Sequence, residues 1–84
     1  MIYKYQINWY GTDTLALPLG SKILSVLNQK ETLVLYARVT NEEDMEFHDI
    51  SVANTGDFIP EHAIHVGTVS FENGSIIKHV FRYP

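Results

Sequence analysis

The segment His65–Tyr83, HVGTVSFENGSIIKHVFRY, constrains the fold of this chain more than any other. Apolar and polar residues alternate up to Asn73-Gly74 and resume after it. Asn-Gly is the dipeptide that best tolerates the positive φ angles of a tight hairpin turn. Side chains that alternate in this way belong to a pleated strand with one face buried. The closing element is therefore read as a hairpin, His62–Phe71 and Ser75–Tyr83.

The rest of the chain is written in the same style. Tyr3–Trp9 alternates, with Tyr3, Tyr5, Ile7 and Trp9 on one face. Gly11-Thr12-Asp13 reads as a turn, and Leu15 and Leu17 begin a short strand that Pro18 ends, because proline cannot donate to a ladder. Lys22–Leu27 and Thr32–Thr40 follow, separated by the polar turn Asn28–Glu31. Leu33, Leu35, Ala37 and Val39 share one face of Thr32–Thr40, with Val34, Tyr36 and Arg38 on the other, so this strand is expected to be central. Met45–Ala53 alternates imperfectly, and a bulge near His48-Asp49 would shift its phase. Asn54–Glu61 is the longest loop. The expected fold is all-β: a small antiparallel sandwich or barrel of about six to seven short strands with a C-terminal hairpin.

Length and composition narrow the functional classes. With 84 residues the chain is one domain, 1–84. A chain of this size buries roughly 60–65% of its unfolded surface, and self-association is a common remedy for such a thin core. There is no cysteine, which fits a reducing cytoplasm. Met1–Tyr10 does not resemble a signal peptide, and no apolar run approaches the ~20 residues that span a bilayer. The net charge is −4 and the cations are scattered, which argues against DNA or RNA polymers. A small anion needs only one or two cations and some backbone N–H groups.

No reaction signature sits on this scaffold. No serine lies in a nucleophile elbow. Asn41–Asp44 (NEED) reads as a solvated hairpin tip and not as a metal site. His62 and His65, three apart on a strand, point to opposite faces and suit a metal poorly. His79 shares a face with Ile77, Phe81 and Tyr83, so it is expected to be half-buried with a hydroxyl or backbone partner. Most aromatics fall in the core by strand phase; Tyr10 and Phe58 are the exceptions. Asn54-Thr55-Gly56-Asp57 is a turn whose N–H groups could form an anion nest, unless Asp57 opposes it. These residues predict no enzyme, no metal and no cofactor.

The segments KYQI at Lys4–Ile7, LPLGSKILSV at Leu17–Val26, TGDFIP at Thr55–Pro60, VGTV at Val66–Val69 and HVF at His79–Phe81 are carried in order over nearly the whole chain. In this the chain resembles a family of small phage and bacterial all-β proteins of unknown function, with the pattern LPxGAKILSV, TGxxIP, GTV and HVF. The departures lie in the middle. That family often has tryptophan where Tyr36 stands and histidine–proline where Asp57-Phe58 stands.

The family is in turn similar to phage anti-defence sponges that sequester cyclic dinucleotide immune signals, notably the tetrameric anti-CBASS kind. The resemblance implies a cytoplasmic protein of an infected bacterial host. Such a protein is a dimer or tetramer that traps a cyclic nucleotide without cleaving it. Tyr10 and Phe58 would then stack on bases. Thr55, the Gly56 backbone, and Arg38 or Arg82 would hold phosphates, and His79 would line the pocket. The alternative is a small phage accessory domain that recognises another protein through its acidic tip and edge strands.

Overall fold

A computed structural model describes residues 1–84. Seven strands run β1 (Ile2–Gln6), β2 (Gly11–Pro18), β3 (Lys22–Gln29), β4 (Thr32–Arg38), β5 (Met45–Asn54), β6 (Ile64–Phe71) and β7 (Ile76–Arg82). They form two antiparallel sheets, β1-β4-β3 and β2-β5-β7-β6. The sheets do not close into a barrel, so the domain is a small sandwich.

Leu33, Leu35, Ala37 and Val39 bury one face of β4, as their alternation predicts. Val34 is also buried, on the opposite face, because β4 is the central strand of its sheet. From the other sheet Leu17, Ile50, Val52, Val69, Phe71 and Val80 complete the core. Complete burial of one such side chain contributes about 1.5–3 kcal/mol. The layers approach most closely where edge strands β3 and β6 meet. A Cβ on Gly67 would lie 2.8 Å from Val26 Cγ2, so any larger residue would have to displace the Val26 side chain.

Several expectations need correction. β1 ends at Gln6, and the chain bends through Ile7–Tyr10 instead of at Gly11–Asp13, which belong to β2. No bulge interrupts β5 at His48-Asp49; its pairing with β2 runs unbroken from Gly11↔Val52 to Pro18↔Met45. Phe47 is out of phase because it faces solvent, 76% exposed. The irregularities lie instead between Ile23 and Ser25 of β3 and between His65 and Gly67 of β6. Tyr3 and Trp9 are largely exposed, not core. The last hairpin forms as expected, but its connection is longer than a two-residue turn: Phe71 pairs with Ile76, and Glu72, Asn73 and Gly74 all have positive φ.

Candidate functional site

The loop after β5 starts with a tight turn. The Asp57 N–H donates to the Asn54 carbonyl at 3.1 Å, and Gly56 takes φ +95°, the left-handed angle a type II turn demands at that place. The turn is locked twice more. Asn54 N–H donates to Asp57 Oδ2 at 2.8 Å. Lys78 Nζ donates to Asn54 Oδ1 at 2.7 Å. Lys78 is 4% exposed, and its ammonium lies 4.8 Å from the Trp9 ring centre and 5.4 Å from that of Tyr10. A lysine so enclosed needs its charge satisfied, and two aromatic faces plus an amide oxygen do this without a carboxylate.

The loop crosses the outer face of the four-stranded sheet and leaves a cleft on either side. The first, about 240 Å³, is lined by Tyr10, Thr12, Ser51, Asp57, Phe58 and Tyr83, among others. Its rings stand open: Tyr10 is 56% exposed and Phe58 is 88% exposed. Its floor is hydroxylic. Ser51 Oγ and the Tyr83 hydroxyl share a hydrogen bond of 2.8 Å, and Thr12 Oγ1 lies 3.3 Å from the same serine oxygen. The Asp57 carboxylate accepts from the Tyr10 hydroxyl and its charge lies beside it; both effects raise the phenol above its ordinary pKa.

The second cleft, about 190 Å³, is lined by Thr55, Gly56, His79 and Phe81, with Ala53, Asp57 and Ile59 shared between the two. Here a chain of four side chains is hydrogen-bonded end to end. Thr55 Oγ1 meets His79 Nε2 at 2.8 Å, His79 Nδ1 meets Thr68 Oγ1 at 3.0 Å, and Thr68 Oγ1 meets His65 Nε2 at 2.9 Å. His79 is half-buried with hydroxyl partners, as its strand phase predicts. The Thr55–His79 contact has the reach of a nucleophile–base pair. The second His79 nitrogen, however, is held by Thr68. Both ring nitrogens of His79 are thus held by threonine hydroxyls, which fixes the orientation of the ring.

Five of the seven residues singled out by sequence gather at this loop: Tyr10 and Phe58 in the first cleft, Thr55, Gly56 and His79 in the second. Arg38 and Arg82 are not among them. Arg38 lies in the other sheet, opposite Ile2 and Lys22. Arg82 falls between Phe81 and Tyr83, so the pleat turns it to the opposite face, where it lines a separate cleft with Ser21, Lys22, Ile23 and His48. The anion nest is closed as well, because the Asp57 carboxylate takes the Asn54 N–H that an anion would have needed. His62 and His65 stand against different rings, Tyr83 and Phe81, each at 5.3 Å. The residues that sequence missed are Ser51, Thr68, Lys78 and Tyr83. Tyr83 was within reach, because it shares the phase of His79. Thr68 was not, because it needed the β6–β7 register.

A thin antiparallel domain of two sheets, with one loop laid over the four-stranded sheet, belongs by its architecture to the small all-β sandwiches. Its family is the domain of unknown function DUF7352, whose model matches residues 1–84, and the chain belongs to that family. No curated protein and no solved structure matches it. No helix is long and apolar enough to cross a membrane.

Proposed function

We propose that this protein captures a nucleobase-bearing small molecule in the cleft between the Asn54–Pro60 loop and the four-stranded sheet, and that it does not convert it. The observation that carries the reading is the pair of exposed rings, Tyr10 and Phe58, on a cleft floored by Thr12, Ser51 and Tyr83 hydroxyls. Stacked aromatics supply about 1–3 kcal/mol per base, and hydroxyls can donate to or accept from a base edge. Sequestration of a cyclic dinucleotide immune signal, in a phage-infected bacterium, is the form of this function that the sequence resemblance favours. The phosphates of such a ligand need cations, and none lines this cleft. In this reading a second subunit supplies them, and the binding unit is a homo-oligomer.

Calorimetry with a panel of cyclic dinucleotides, with ribose 5-phosphate as the base-free control, tests the proposal. Saturable heat from a nucleotide and none from the control is the expected result. Phe58→Ala should weaken that binding by about 1–3 kcal/mol. Absence of heat with folded protein refutes it.

A second reading has its own observation. Phe47, 76% exposed, and Met45, 50% exposed, lie on the outer face of β5 directly after the acidic tip Glu42-Glu43-Asp44. An apolar patch rimmed by charge fits a protein partner. A stoichiometric protein retained by the wild type and lost with Phe47→Ser would favour this module.

A further inference from the structure

The strong cations are few and unevenly placed. Of six lysines and arginines, Lys4, Lys22 and Arg38 lie on β1, β3 and β4, and Lys30 lies in the turn between β3 and β4. Those three strands contain no Asp or Glu. Lys22 and Arg38 occupy directly opposed positions of the β3–β4 pair. Like charges so placed destabilise a sheet, and no lysine or arginine forms an ion pair that would relieve them.

A cleft of about 280 Å³ opens beside this pair, lined by Ser21, Lys22, Ile23, His48 and Arg82. Lys22 and Arg82 are cations, and His48 becomes one when protonated. Ser21 is buried; its oxygen accepts from the Thr40 N–H at 3.4 Å, which leaves its own proton to donate. The acids near the cleft are Glu46 and the tip Glu42-Glu43-Asp44, whose backbone is tied to Leu19 and Thr40. Glu46 Oε1 is engaged by His48 Nε2 at 3.1 Å and by the Gly20 N–H at 3.2 Å.

We infer that this cleft binds a phosphate group. The Arg82 guanidinium matches two phosphate oxygens in a fork, while the Lys22 ammonium and the Ser21 hydroxyl supply further donors. The three strands next to it carry cations and no acid, which favours an anion at the cleft although Glu31 sits in their connecting turn and the whole chain is negative. The site is distinct from the aromatic cleft and does not depend on it: Arg82 and Tyr83 are neighbours in an extended strand end and serve opposite faces of the sheet.

The test is a titration of the full-length protein with inorganic phosphate, followed through the histidine ring signals by NMR at matched ionic strength. His48 should move saturably while His62, His65 and His79 do not. Lys22→Gln and Arg82→Gln should each weaken the binding about tenfold, the value of one charge-assisted contact. Lys22 is exposed, so its replacement leaves the fold intact. A second arm uses glycerol 3-phosphate. Tighter binding than inorganic phosphate assigns the site to a phosphate monoester, and equal binding assigns it to the free ion; both support it. Equal movement of all four histidines, or equal movement with sodium chloride, overturns the inference.

Discussion

Lys78 is the one strong cation that the fold encloses, and it joins the core to the loop that forms the site. Lys78→Met keeps most of the volume but leaves the Asn54 amide without its donor and removes the charge from between Trp9 and Tyr10. The expected cost is about 1–3 kcal/mol, read as a lower urea midpoint with an unchanged slope. Tyr10 offers a test of the site itself. Its phenol is held above the ordinary tyrosine value, first by the hydrogen bond to Asp57 and then by the charge of that carboxylate. The raised folded pKa fixes the sign: the contact contributes fully below about pH 10 and is lost as pH rises through the folded value. Ultraviolet difference titration should show a tyrosine ionising above the ordinary value, and Asp57→Asn should lower that step. These contacts were hidden from the sequence. The strand phase of His79 announced a half-buried imidazole, but nothing in the order of residues said that Asp57 would turn back on Asn54 or that Lys78 would lie under two rings.

At the scale of elements, alternation was legible where one face is buried, as in β4 and β7, and misleading where an apolar residue faces water. Phe47 is the clearest instance: an exposed phenylalanine mimics a phase shift and invites a bulge that does not exist. Register and strand order rest on contacts distant in sequence, so the pairing of β2 with β5 could not be read locally. Gly67 belongs to this scale, because it lets β3 and β6 close together. Gly67→Ala drives a Cβ into Val26 Cγ2 and should cost about 1–3 kcal/mol, measured by thermal unfolding. The β3–β4 turn gives a change of opposite sign. Lys30 and Glu31 both hold left-handed backbone, with φ 51° and 63°. Glu31 earns its strain: its N–H donates to Asn28 Oδ1 at 2.7 Å and its Oε2 accepts from the Glu72 N–H at 3.1 Å, which latches this turn to the last hairpin. Lys30 has no such role, so Lys30→Gly should stabilise the domain by about 1 kcal/mol in the same experiment.

At the scale of the molecule, the all-β class was legible in the turn signals and the short β-branched runs, but the division into two sheets was not, because a sandwich and a barrel alternate alike. Tyr10, Phe58 and the Thr55-Gly56 turn could be singled out one by one, as aromatics out of strand phase and as turn residues, but that they meet His79 of β7 at one loop rests on strand order. The arginines do not join them, since Arg38 and Arg82 are separated from that loop by the pleat and by the division into two sheets. The chain is thin, with principal extents of 40 × 30 × 15 Å and 16 buried residues of 84, so a bound molecule or a second copy has much to add to its stability. The central claim is capture without conversion at the Tyr10–Phe58 cleft. Its most direct test is calorimetry of wild-type and Phe58→Ala protein against cyclic dinucleotides, with the ligand recovered afterwards by denaturation and weighed by mass spectrometry. Phe58 is so exposed that its loss should change stability by no more than about 0.5 kcal/mol. The account expects saturable heat in the wild type, weaker binding in the variant and a ligand of unchanged mass. Equal binding by both proteins, no binding by either, or a ligand of altered mass would contradict it.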